Sequence, residues 1–435
     1  MPRRLLWLWT MAALAALAAC SPLPGAPTPS TLPASPVAPT AAPRPTAVPP
    51  VTALPQPTVA PSGLVLWAVA AGPELAALQR LVADLSAPLG VPVLVVGKSA
   101  DALVADIRAD ALAGLPPPDL IWASQDELGL LQRTNMLQPA NDQLDDGAFL
   151  PAVIASARVD GQRWGTPLAA QGYLLLFYNR KLANSAPRTT DELITRSRAL
   201  TAGDTFGLVA AWVEPRWFTA WLNGYGGAAL DANDQPALNT PQTVAALNLL
   251  KELRAAGPPP PSTYQEGVQL FRQGRAAFAI DGDWAIANYR SYTDTLDLGI
   301  APLPVVPATG RLAAPGVGGL YLMYSGTLSG ARADSAQALG RALAAPAGQA
   351  RVAAELGLLP ALQAALASPP VTNNPALAAA AAQAAAAPGL PPSSALRCAW
   401  AAIQPQLAPV LLGDQTQAAA ASAMQANAAA CVAAQ

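Results

Sequence analysis

Two carboxylates stand two residues apart beside an indole in Asp281-Gly282-Asp283-Trp284. On a strand, side chains two apart point to the same face about 7 Å from one another. That lies within the roughly 5 to 10 Å over which two acids can act around a glycosidic bond. A secreted glycoside hydrolase is therefore one chemistry this pattern admits, although nothing else in the chain supports hydrolysis. Histidine is absent from all 435 residues. Its absence removes His-ligated zinc, Ser-His-Asp triads and Cys-His dyads together; no metal and no cofactor are expected. Net charge is -2 with only 12% charged residues, so no basic surface advertises nucleic acid.

The three cysteines divide into one and two. Ahead of Cys20 come Arg3-Arg4 and an apolar run from Leu5 to Ala19 that ends in small residues. A charged start, about 15 apolar residues and a small-residue cleavage site describe an export signal rather than a membrane span. Leu17-Ala18-Ala19-Cys20 looks like the lipobox of bacterial lipoproteins, which implies a mature chain beginning at a lipidated Cys20 and anchored to the membrane outside the cytoplasm. Residues 1–20 read as signal peptide and lipobox. Residues 21–62 are Pro, Thr, Ala and Ser with Arg44 as the one charge; they have little to bury, and their prolines block helix and sheet ladders, so a disordered tether is expected. Cys398 and Cys431 are an even pair in an exported chain, the setting in which disulfides persist. Bonded, they close about 34 residues, worth on the order of 3 to 4 kcal/mol in the chain-entropy model; the alternative is two buried free thiols.

The elements that would position such groups begin after the tether. A body of roughly 370 residues is too long for one core and predicts two domains. Strands are predicted at Gly63 to Ala70, Pro92 to Val96 and Asp119 to Trp122, with helices at Pro73 to Ala87 and Leu103 to Leu112 between them. This alternation implies parallel pairing, an α/β layer fold. Such sheets bind ligands beyond the carboxyl ends of their strands, and Trp67 and Trp122 each stand at or near such an end. Further on, Leu168 to Tyr178 is strand-like, Asp191 to Leu200 is a helix after Thr189-Thr190, and helices are predicted at Pro215 to Tyr225 and Pro241 to Ala256. Short strands return at Phe278 to Ile280, Leu298 to Ala301 and Leu320 to Tyr324. The uniform Ala376 to Ala387 stretch reads as a solvated helical surface.

Several landmarks appear in one order: Pro118-Asp119-Leu120-Ile121-Trp122-Ala123 with Asp126; Leu137-Gln138-Pro139; Gly165-Thr166-Pro167; Phe177-Tyr178-Asn179-Arg180-Lys181-Leu182; Glu214-Pro215-Arg216-Trp217-Phe218 through Gly226-Gly227; and Phe271-Arg272-Gln273-Gly274-Arg275-Ala276-Ala277 with Ile280-Asp281-Gly282-Asp283-Trp284. In this the body, from Leu64 to Ala430, resembles the extracellular solute-binding proteins of ATP-driven (ABC) importers, specifically the carbohydrate-binding family that includes the maltose-binding protein. The last block is the most specific.

The resemblance implies an α/β, two-lobed periplasmic-binding-protein-like fold with a hinge and an interlobe ligand cleft. Residues 63–170 plus 311–364 would form the N-terminal lobe and 171–310 plus 365–435 the C-terminal lobe. Crossings would fall near Ala169 to Gly172, Ala301 to Arg311 and Ala361 to Val371. It further implies sugar contacts by Asp126 and Glu214, aromatic or adjoining cleft positions at Arg216, Trp217 and Trp284, and a stacking tryptophan at Trp400. Indoles suit the apolar faces of a pyranose, and carboxylates and amides suit its hydroxyl rim. For Asp126 an N-cap role in the Ser124-Gln125-Asp126-Glu127 turn is also expected. Three positions depart from the family. Arg216 replaces an aromatic, Gln171 or Gly172 replaces a loop carboxylate, and Gln125 replaces a histidine. They point away from maltose toward another mono- or oligosaccharide, with Arg216 reading an acidic group or a hydroxyl pair. The expected partners are a sugar, ABC permease subunits and the membrane through Cys20; the expected state is a monomer. A sensor that presents its ligand to a membrane receptor is the alternative.

Overall fold

The computed structural model describes residues 63–259 and 263–435; the export signal, Cys20 and the tether lie outside them. Leu64–Val69, Val93–Lys98 and Leu120–Ser124 pair in parallel, with Gly72–Ser86 and Ala100–Leu112 as the intervening helices. The first helix has proline in its opening turn and buries Ala77, Leu78, Leu81 and Val82, which share a face at 3.6 residues per turn. The second is capped by Ser99, whose side chain accepts from the Ala102 N–H.

These strands belong to a seven-stranded sheet. Its order is 359–360, 166–171, 318–325, 120–124, 64–69, 93–98, and Leu137–Gln138 also pairs with the 318–325 strand. The sheet is mixed, because Gly318–Ser325 runs antiparallel to both of its main neighbours. A second sheet of four strands has the order 298–301, 174–179, 276–282, 206–210.

The strand-like stretch Leu168 to Tyr178 is two strands in two sheets, Thr166–Gln171 in the first and Leu174–Asn179 in the second. Between them Gly172 adopts φ +77°, a left-handed conformation open to a residue without a Cβ. The chain thereby changes sheets within two residues. It returns between Ala301 and Gly318, where Val305–Val306 and Arg311–Leu312 form a small antiparallel ribbon. Val305 bridges Thr189, and the Ala314 N–H donates to the Ala220 carbonyl at 3.2 Å. Residues 311–314 therefore stay with the second sheet, and the first lobe resumes later than the expected position 311.

The Ala-rich segment departs from its expected place on the surface. Pro375–Ala385 is a helix that buries Ala376, Leu377, Ala379, Ala380 and Ala384. Gln383 is 0% exposed; its side chain accepts the Leu303 N–H and donates to the Ala313 carbonyl, each at 2.8 Å. Left unpaired, such an amide would cost about 1 to 3 kcal/mol. An apolar cluster containing Ile121, Phe149, Tyr173, Phe177, Phe271 and Leu377 runs without a break from the first sheet to the second, while each sheet also packs a core of its own. The last two helices, Ser394–Leu412 and Gln417–Ala433, are joined by the Cys398–Cys431 disulfide with Cα atoms 5.5 Å apart.

Candidate functional site

Residues of both lobes line one open cleft of about 620 Å³. The first sheet's side contributes Glu74, Ser124, Gln125, Asp126, Gln171 and the Leu356–Leu358 loop; the second contributes Arg216, Asp283, Trp284, Ile286, Ala287 and Arg290, with Gly172 and Tyr173 at the crossing. Glu74 and Asp126 follow the carboxyl ends of Leu64–Val69 and Leu120–Ser124, where α/β sheets present ligand-binding groups.

On the first side the local geometry comes from a capping box. Ser124, not Asp126, caps the Gln125–Arg133 helix: its Oγ accepts the Asp126 N–H at 3.2 Å, and Glu127 Oε2 accepts the Ser124 N–H at 3.0 Å. Asp126 is left exposed in the first turn, with Gln125 Nε2 at 3.4 Å from its carboxylate. Gln125 is itself buried, its Oε1 accepting the Gly319 N–H at 3.0 Å. A Cβ at the neighbouring Gly318 would sit 2.1 Å from that oxygen, so a larger residue there would displace the Gln125 amide.

On the second side Trp284 is 51% exposed yet fixed in place. Its indole N–H donates to the Tyr264 hydroxyl at 3.0 Å, and that hydroxyl donates to Asp281 at 2.9 Å. Asp281, 1% exposed, also accepts the Tyr289 O–H at 2.6 Å and the Gly282 N–H at 2.8 Å. Burial raises the Asp281 pKa, and these donors counter it; burial likewise pushes Tyr264 up to about 12. The indole lies back over Gly282, where a Cβ would come within 2.2 Å of it, and its other neighbour is Trp217, 6.1 Å away and edge-on at 66°.

Asp283 accepts the Gly172 N–H at 3.2 Å on each oxygen, so it holds the crossing between the sheets. Burial pushes its carboxyl up to about 6, against the opposing pull of the Gly172 N–H and the Arg216 charge. The two aspartates do not form a hydrolytic pair. Strand alternation stops at Gly282, because Asp283 opens a 3-10 turn. Asp281 is enclosed beneath Tyr264 and Tyr289, and Asp283 alone lines the cleft.

Arg216 donates from Nη1 to the Gly172 carbonyl at 2.8 Å, and its guanidinium lies 5.4 Å from the centre of the Trp400 ring. Burial lowers its pKa while Asp126 and Asp283 act in the other direction. Burial outweighs the two carboxylates, and Arg216 makes no ion pair within 4 Å among the described residues.

Of the nine cleft positions expected from sequence, Asp126, Gln171, Arg216 and Trp284 line this cleft, and five do not. Trp122 is 2% exposed, packed among Leu64, Leu66 and Leu322 because both faces of its strand are covered. Trp217 is 7% exposed and donates its indole N–H to the Ile280 carbonyl at 2.8 Å, so it backs Trp284 from within the second lobe. Trp67 is half-buried, and its ring is covered by the Lys98 ammonium 3.8 Å from the centroid, a cation that Asp106 holds at 2.7 Å. Glu214 sits just before the Pro215–Gly224 helix, outside the cleft lining. Trp400 walls a different cavity of about 220 Å³. Glu74 escaped the sequence reading, though its place just after a parallel strand was a usable signal. Arg290 and the 356–358 loop carried no local signal at all.

Two α/β lobes joined by crossing strands, with one cleft walled by both, define a two-lobed binding protein of the periplasmic-binding-protein fold. A model of the bacterial extracellular solute-binding protein family matches residues 81–379, and the chain belongs to that family, whose members act outside the cytoplasm. It is 26% identical over 271 residues to the maltotriose-binding protein of Pyrococcus abyssi (strain GE5 / Orsay), covering 60% of this chain and 58% of that protein. It is 30% identical over 220 residues to the maltodextrin-binding protein MdxE of Bacillus subtilis (strain 168), covering 46% of this chain and 51% of that protein. The matches thus span a little over half the length of these curated relatives. Among solved structures, the maltose/maltodextrin-binding domain MalE from Bdellovibrio bacteriovorus bound to maltotriose is similar with TM-score 0.67 at 25% identity, covering 85% of this chain and 99% of that one.

Proposed function

We propose that this protein captures a sugar or short oligosaccharide in the interlobe cleft and delivers it to the permease of an ABC importer, without catalysing a reaction. The observation that carries the reading is Trp284: an indole face left half open to solvent, locked by the Tyr264–Asp281 relay, and set among Asp126, Gln171 and Asp283. That combination offers an apolar platform for a pyranose face and acceptors for its hydroxyls. The named ligands of the relatives, maltotriose and maltodextrin, support a carbohydrate. Open and closed lobe arrangements interconvert about the Gly172 crossing, and a ligand touching both walls stabilises the closed one. A lipid on Cys20 and the tether of residues 21–62 hold the body at the outer face of the membrane.

Thermal-shift screening of the purified protein against a panel of mono-, di- and trisaccharides tests the reading, since ligand at 100 times its dissociation constant adds about 2.7 kcal/mol of stability. One sugar class should raise the melting temperature, and small-angle scattering with that sugar should show a smaller radius of gyration. A panel without a single shift overturns the assignment. Cys20→Ser should move the protein from the membrane to the soluble fraction, and unchanged partitioning refutes the anchor.

A further inference from the structure

Arg216 lines one space and lies against a wall of another. On one side it lines the cleft beside Asp283 and Trp284. On the other its guanidinium lies against Trp400, whose ring walls the separate cavity of about 220 Å³ together with Asn223, Leu230, Asp231 and Leu390. One turn along the same helix, Thr219 lines that second cavity too. The guanidinium is anchored rather than free, because Nη1 donates to the Gly172 carbonyl at 2.8 Å. A Cβ at Gly172 would approach the same nitrogen to 2.7 Å, so backbone and side chain are fitted to each other at this point.

The second cavity has the makeup of a carbohydrate subsite: an indole wall, small apolar surfaces and polar groups at the rim. Its volume lies below the roughly 300 Å³ at which independent ligand pockets begin, which suits an extension of the cleft better than a site of its own. We propose that Arg216 is a specificity-determining residue that ends the binding groove, shutting the Trp400 cavity off from the cleft so that the protein takes one- or two-unit saccharides and gains nothing from a third unit. This rests on the sugar-binding reading of the cleft. On this reading Trp400, one of the five non-lining positions, is kept from the cleft by the guanidinium 5.4 Å from its ring.

The test is calorimetric titration of the full chain and of Arg216→Ala with glucose, maltose, maltotriose, cellobiose and cellotriose. Arg216→Gln, which keeps a neutral amide donor on a shorter side chain, guards against a folding defect, and both variants are checked by thermal melting. For wild type, the trisaccharide should bind within about twofold of its disaccharide. In at least one Arg216 variant it should bind tenfold or more tighter than the disaccharide, and adding Trp400→Ala to that variant should remove the gain. A wild-type preference of tenfold for a trisaccharide, or folded variants with the wild-type length profile, overturns the inference and leaves the sugar reading standing. Failure of every probe to bind wild type and variants alike overturns both.

Discussion

The two walls of the cleft are built differently. On the second sheet's side, each principal group is held by others: Trp284 by Tyr264, Gly282 and Trp217, Asp283 by the Gly172 N–H, and Arg216 by the Gly172 carbonyl and Trp400. On the first side, Glu74 is exposed with no side-chain hydrogen bond among the described residues, and Asp126 has one long contact from Gln125. A pre-organised wall loses little side-chain entropy when ligand arrives, whereas a loose wall must be ordered by it. Binding energy should therefore concentrate on the second side, with the first side supplying the closing contacts.

The largest effect that would sharpen this contrast is at Trp217. Because its ring is buried and its N–H is bonded to Ile280, Trp217→Ala should cost about 3 to 5 kcal/mol of stability, read by urea denaturation. A variant with unchanged stability would show that the backing layer is dispensable.

Next comes Asp283. Its carboxyl is raised in the folded protein from 3.8 to about 6, so the native state holds the proton more tightly than the unfolded chain does. The stability this gives is complete below about pH 4 and is lost as pH rises through about 6; a displacement of that size corresponds to on the order of 3 kcal/mol. Asp283→Asn should be more stable than wild type at pH 7 by up to that amount and equal to it at pH 4. The same pH slope in the variant as in wild type would rule this out.

Third, Trp284→Ala should weaken binding of a sugar identified by screening by roughly 10- to 100-fold, about 1.4 to 2.8 kcal/mol. Its melting temperature without ligand should barely move, since the ring is half exposed. The smallest effect is expected on the loose wall, where Glu74→Gln should change affinity less than about threefold, under about 1 kcal/mol. A loss there as large as at Trp284 would erase the distinction between the walls.

How much of this was written in the sequence varied with the kind of signal. Strand–helix alternation after the tether located the parallel strands, whereas the crossing near Ala169 to Gly172 came only from the family resemblance. The block around Ile280-Asp281-Gly282-Asp283-Trp284 located the one well-exposed indole among the described residues. What failed was the sorting of similar residues by environment. Trp122, Trp217 and Trp284 are alike in type and all lie near strand ends or helix starts, but one is covered by neighbouring strands, one turns inward on its helix and one lies over a glycine. Such distinctions are made by distant segments that local patterning does not encode. Period-2 reasoning paired Asp281 with Asp283 because nothing local announced that the strand ends between them. The Ala-rich helix was placed outside because alanine shows no amphipathic contrast, although Gln383 marked its buried side.

The half-open placement of Trp284 also makes the molecule its own reporter. It is the one described tryptophan with most of its contour toward solvent, and its indole N–H is already committed to Tyr264. A molecule settling on that ring would strip water from it without altering its hydrogen bond. The emission band should then move to shorter wavelength during occupancy, so uptake can be followed optically with no label attached.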